Sequence, residues 1–190
     1  MKRTIIACVI GLGLFAQARD VISLNQGWDF RRGDRDAQPE RVNLPHDFQI
    51  SQPWVEPDAS ERADLNNGVA NIKSRLSARG FKEMGTGWYT RELQPDPAWK
   101  GKRVVLDFEG IMLVGDVWFN GKQIASTDYG YLGMDADITD LIDWNGKNVI
   151  EVFADTRQPN NSRWYTGGGL YRDVNLIVTD SKLHFERHPL

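Results

Sequence analysis

The chain has 190 residues and a formal net charge of −3, and 41% of it is hydrophobic, 11% aromatic and 26% charged. That length suits one domain with a core and leaves no room for a large catalytic domain beside it. The acidic balance argues against nucleic acid as a partner, because phosphate binding needs a basic surface.

Residues 1–18 read as a secretory signal. Lys2 and Arg3 form a charged start, Ile5 to Phe15 an apolar run too short to span a bilayer, and Ala16-Gln17-Ala18 a small-x-small cleavage site. Cleavage after Ala18 and a periplasmic or secreted product are expected. The one Cys, Cys8, lies inside this segment, so the following domain, placed at 19–182, has no disulfide and depends on its core. No second apolar run is long enough for a membrane span.

Beyond the signal the chain reads mostly as strands. "GWDFRR" is a short strand candidate, and "LPHDF" (Leu44 to Phe48) ends a strand with His46 and Asp47. From about Ser51 to Thr86 there is little strand periodicity. A loop of that size is unusual in a compact domain, although "NIKSRLSARGFKEMG" can carry a short helix through Ile72, Leu76 and Arg79. "GWYTREL" is another short strand. "KRVVLDFEG" puts Val104, Leu106 and Phe108 on one face and Arg103, Val105, Asp107 and Glu109 on the other. "LVGDVWFNGKQIA" is a hairpin, with Asn120-Gly121 supplying the two positive-φ residues of a tight turn. "DADITDLI" predicts one helical turn, with Asp137 as N-cap and Ile138, Leu141 and Ile142 packing inward. In "NVIEVFAD", Ile150, Val152 and Ala154 face one way. In "LYRDVNLIVTD", Leu170, Val174, Leu176 and Val178 share a face, with Arg172 the polar exception. Many short strands between Gly-, Asn- and Asp-rich turns predict an all-β fold, a β-sandwich or jelly roll with a long irregular insertion.

The residue types favour binding over catalysis. No Gly-x-Ser-x-Gly elbow, no His cluster and no phosphate-cradling Gly loop before a helix occurs, so neither a metal nor a cofactor is expected. Glycoside cleavage needs two carboxylates facing each other across the bond, and no pair declares itself from sequence. A sugar, by contrast, offers hydroxyls to Arg, Asp and His and C–H faces to Trp and Tyr. In "NSRWYTGGGLYRDV", Arg163, Trp164 and Tyr165 have that chemistry on a loop, and the three glycines that follow read as a tight approach into a strand. His46 and Asp47 are candidates too. For Asp47 the alternative is a turn in which its carboxylate bonds nearby backbone amides. Seven Trp are many for this length; most are expected in the core, with Trp164 the best candidate for exposure and Trp118 able to face either way.

"LPHDF", "GWYTREL", "GKRVVLDFEGI", "DVWFNGKQIA", "GYLGMDADITDLI", "NVIEVFAD" and "SRWYTGGGLYRDVNL", in this order, resemble the N-terminal domain of glycoside hydrolase family 2. The insertion "KSRLSARGFKEMGTGWY" resembles a β-galactosidase-type subgroup. The resemblance implies a galactose-binding-domain-like jelly roll, followed by an immunoglobulin-like sandwich and a (β/α)8 barrel that holds both catalytic Glu residues and cleaves β-glycosides with retention. It implies that the loop matching "NSRWYTGGGLYR" reaches the rim of the barrel's pocket. Some relatives carry a substrate-contacting Asp nine residues before the Arg of the "YR" pair; here that position is Arg163. Residues 183–190 match the start of the linker to the second domain, and no Asn-Glu acid/base dipeptide occurs in the chain. The expectation is an accessory domain, inactive alone, that lends one wall to a pocket for a β-linked oligosaccharide, a galactoside by subgroup. The alternatives are a stand-alone lectin-like module and a non-functional remnant.

Overall fold

The computed structural model describes residues 19–56, 81–157 and 165–182. The expected signal segment, the helix expected around Leu76, and Arg163 and Trp164 lie outside them.

Among the described residues ten strands form two antiparallel sheets. They are β1 (Arg19–Ser23), β2 (Trp28–Arg32), β3 (Glu40–Val42), β4 (Thr86–Leu93), β5 (Arg103–Phe108), β6 (Val114–Phe119), β7 (Lys122–Thr127), β8 (Met134–Asp137), β9 (Asn148–Asp155) and β10 (Val174–Thr179). One sheet has the order β1-β10-β5-β8 and the other β3-β2-β4-β9-β6-β7. The chain crosses repeatedly from one sheet to the other, as the expected jelly roll requires. The cause is alternation. Trp28, Phe30, Tyr89, Ile150, Val152, Val117 and Phe119 of the six-stranded sheet meet Val104, Leu106, Phe108, Val174 and Leu176 of the other in one buried cluster. Each such side chain contributes about 1.5–3 kcal/mol on burial.

The local signals fold as their chemistry directs. Asn120 (φ 50°) and Gly121 (φ 78°) make the β6–β7 turn. Buried Asn148 holds that turn in place: its Oδ1 accepts from Asn120 Nδ2 (3.0 Å) and Asp143 N (2.8 Å), and its Nδ2 donates to the Asp143 carbonyl (2.8 Å). The expected helical turn is a 3₁₀ turn over Thr139–Leu141. Its N-cap is Ile138, without a side-chain cap bond, and not the expected Asp137; Asp137 ends β8 one residue earlier, and its carboxylate accepts from both the amide (3.0 Å) and the hydroxyl (2.6 Å) of Thr139. Ile138 and Ile142 are buried, and Leu141 packs partly against the core.

Three further expectations are corrected. Val105 and Asp107, on the supposedly polar face of β5, are as buried as the core face; on that face they stand between Ile177 and Asn175 of β10 and Asp137 and Asp135 of β8. "LPHDF" does not end a strand. β3 stops at Val42, and the segment runs on as a loop held by backbone bonds to residues 168 and 170. The tryptophans are not mostly core: among the described residues Trp28 and Trp99 are buried and Trp144 packs partly against the core, whereas Trp54 is 71% exposed. Trp88 and Trp118 stack on the outer face of the six-stranded sheet, with ring centroids 5.7 Å apart, and the Arg35 guanidinium lies over Trp88 while it pairs with Glu151.

Candidate functional site

The site forms where the loop after β3 meets the glycine-rich segment before β10. His46 N donates to the Leu170 carbonyl (2.8 Å) and Phe48 N to the Gly168 carbonyl (3.0 Å). That ladder places Asp47 at the centre of a bracket. Its Oδ1 accepts from Gln49 N (3.0 Å) and Gly168 N (2.8 Å), and its Oδ2 accepts from the Tyr165 hydroxyl at 2.6 Å. The Gln49 contact is the Asx turn that sequence offered as an alternative. The other two bonds reach across the fold and hold the base of the 165–169 segment. Two sequence candidates, Asp47 and Tyr165, are therefore in direct contact.

The glycines answer to close approach. Gly169 has φ 99° and exchanges two hydrogen bonds with Met112, at 2.9 and 2.7 Å. A Cβ at Gly168 would stand 2.7 Å from the Thr156 methyl group. The strand they lead into starts only at Val174. Between them, Tyr171 turns its hydroxyl onto the Gly130 carbonyl (2.8 Å).

His46 adjoins Asp47 in sequence, but its ring points elsewhere. It lies 4.8 Å from the Phe30 ring and 5.7 Å from the Tyr89 ring, and Nδ1 is 3.0 Å from the Tyr89 hydroxyl. Burial lowers the His46 pKa, against smaller opposing effects of Glu40 and Asp47, and the same burial pushes the Tyr89 phenol up. The neutral imidazole therefore packs beneath the bracket. A histidine whose folded pKa lies below its unfolded value of about 6.5 supports the fold fully above that value and less as pH falls through it. Thermal melts are expected to lose stability from pH 7 to pH 5, with the slope reduced in His46→Gln. An unchanged slope in the variant would remove His46 as its source.

Sequence reasoning missed the supports. Tyr89 sits under Gly169, and buried Thr156 bonds both the amide (3.0 Å) and the carbonyl (3.1 Å) of Gly85. Asp155 accepts from Arg157 at Nε (3.0 Å) and NH2 (2.9 Å), which raises the arginine pKa. The signal for that pair was the i,i+2 spacing at the end of β9, read only as strand. Among the described residues no group of three His, Cys, Asp or Glu side chains could hold a metal, and no helix is long and apolar enough to cross a membrane. The chemistry at hand is hydrogen bonding and ring contact.

Residues 23–180 match the family described as glycosyl hydrolases family 2, sugar binding domain. The chain belongs to this family. It is 31% identical over 170 residues to a beta-galactosidase of Bacteroides ovatus, covering 85% of this chain and 18% of that protein. It is also 31% identical over 179 residues to a beta-glucuronidase of Bacteroides fragilis, covering 90% of this chain and 22% of that one. Among solved structures it is similar to a beta-glycosidase from Bacteroides vulgatus, with a TM-score of 0.72 and 30% identity over 85% of this chain and 20% of that one. The family 2 chain thus spans about a fifth of the length of the relatives it matches.

Proposed function

We propose that this family 2 domain is an accessory wall of a sugar pocket in a retaining β-glycosidase of the β-galactosidase type. The loop bearing Arg163, Trp164 and Tyr165 contacts the sugar, and the catalytic carboxylates come from immunoglobulin-linked barrel sequence outside these 190 residues. What supports this reading is the Asp47 bracket, which fixes the Tyr165 hydroxyl and the Gly168 amide by two bonds shorter than 3 Å. The Asp155–Arg157 pair stands at the other approach to the same loop. The described residues that flank this loop are thus fixed by bonds within the domain, which lowers the ordering cost of binding there.

The test is direct. The 190-residue chain is expected to release no nitrophenol from an aryl β-galactoside, and calorimetric titration with galactosides is expected to give no binding tighter than about millimolar, the range for an incomplete site. Hydrolysis by this chain alone would overturn the accessory role. Tighter binding would favour the stand-alone module instead.

A further inference from the structure

The outer face of the six-stranded sheet carries a second site candidate. A cleft of about 680 Å³ is lined by residues of β2, β3, β4 and β9 and of the loops beside them, Gln26, Arg31, Thr90 and Arg91 among them. It occupies the end of β4 that carries Thr90–Glu92. The Asp47–Tyr165 bracket adjoins the opposite end, through Thr156 and Gly85. The cleft holds four cationic side chains against two carboxylates, in a chain whose formal net charge is −3.

The pairing within the cleft is incomplete. Arg41 pairs with Asp29 at 2.7 Å, and Lys147 pairs with Glu92. Arg31 and Arg91 meet only neutral acceptors among the described residues. Arg31 donates to the Ala37 carbonyl and the Thr90 hydroxyl, both at 3.1 Å. Arg91 donates to the Gln26 carbonyl (3.0 Å) and the Glu92 carbonyl (3.3 Å). Burial lowers the Arg91 pKa, and the charge of Arg41 lowers it further. An anion beside Arg91 would offset the repulsion from Arg41. Guanidinium groups bind planar or tetrahedral oxyanions through paired N–H donors. The volume falls in the range of small-molecule sites and exceeds what an inorganic anion fills. Gln26 and Thr90 add amide and hydroxyl groups suited to a polyhydroxylated ligand.

We propose that this cleft binds an anionic saccharide, its carboxylate or sulfate ester drawn by the guanidinium groups of Arg31 and Arg91, which no carboxylate among the described residues neutralises, and its hydroxyls on Gln26 and Thr90. The experiment is an NMR titration of the full chain with glucuronate, galactose 6-sulfate, galactose and inorganic sulfate at low salt. At least one charged sugar is expected to bind tenfold or more tightly than galactose. Amide shifts are expected at Gly27, Asp29, Thr90, Arg91 and Val149, fading as salt is raised. Comparing the two charged sugars separates the uronate from the sulfate ester as source. Arg91→Gln is expected to weaken binding tenfold or more. Arg31→Gln gives the same reading if Arg91→Gln does not fold. Equal binding of galactose, sulfate as tight as the sugars, shifts centred on Asp47 and Gly168, or no shifts at all would each overturn the proposal.

Discussion

Gly169→Ala is expected to destabilise the domain by about 4 kcal/mol, a loss of roughly 10–15 °C in Tm for a chain of this size. Three effects act together at this position. A Cβ would lie 2.1 Å from the Tyr89 hydroxyl and 2.9 Å from Phe48 Cδ1. Neither neighbour can yield, since Tyr89 and Phe48 are among the largest fully buried side chains; overpacking of this kind costs about 1–3 kcal/mol. The φ of 99° adds strain of about 1–2 kcal/mol for an L residue. The backbone cannot shift to escape, because Gly169 is bonded on both sides to Met112. Gly27→Ala is the control. It has a positive φ of 78° with nothing within 4 Å of the new Cβ, so only the backbone strain remains. Urea unfolding of both variants checks the claim. A Gly169→Ala loss no larger than that of Gly27→Ala would mean that the close approach to Tyr89 is not what demands glycine.

That same position shows where sequence reading stops. Alternation in β9 placed Ile150, Val152 and Ala154 inward, and all three are fully buried; Asn120-Gly121 announced its turn for a local stereochemical reason. Both signals lie within a few neighbouring residues. The demands on Gly169 do not, because they come from Tyr89 in β4 and Met112 after β5. The outward residues of β5 failed for a related cause. Alternation reports that a strand has two faces, and only the tertiary arrangement decides that both are covered. At the site, residue chemistry pointed to His46, Asp47 and Tyr165 as one class of candidate. Geometry separates them. Asp47 finds Tyr165 across 118 residues of sequence, whereas the His46 ring turns into the Phe30–Tyr89 cluster. Nothing in a linear pattern distinguishes those two directions for adjacent side chains.

Asp47→Ala is expected to cost about 3 kcal/mol. The substitution removes one carboxylate and strands three donors: the Gln49 amide, the Gly168 amide and the Tyr165 hydroxyl. Hydrogen bonds to a charged acceptor contribute about 1.5–3 kcal/mol each when buried, but at this partly exposed site water replaces part of each lost bond, which leaves about 1 kcal/mol for each of the three. Asp47→Asn keeps an oxygen for the two amides and turns an NH2 group toward Tyr165, whose hydroxyl can reverse to accept. It is expected to lose only about 1 kcal/mol. Tyr165→Phe is expected to lose a similar amount, and the Asp47→Ala/Tyr165→Phe double variant to fall short of the sum by about 1 kcal/mol, the coupling of a direct contact. Hydrogen exchange at Gly168 gives the local reading: its amide should be protected in the parent chain and in Asp47→Asn, and should open in Asp47→Ala. Additive losses together with unchanged Gly168 exchange would show that Asp47 does not hold the loop. The 165–169 segment would then be positioned by its backbone bonds to Phe48 and Met112 rather than by this carboxylate.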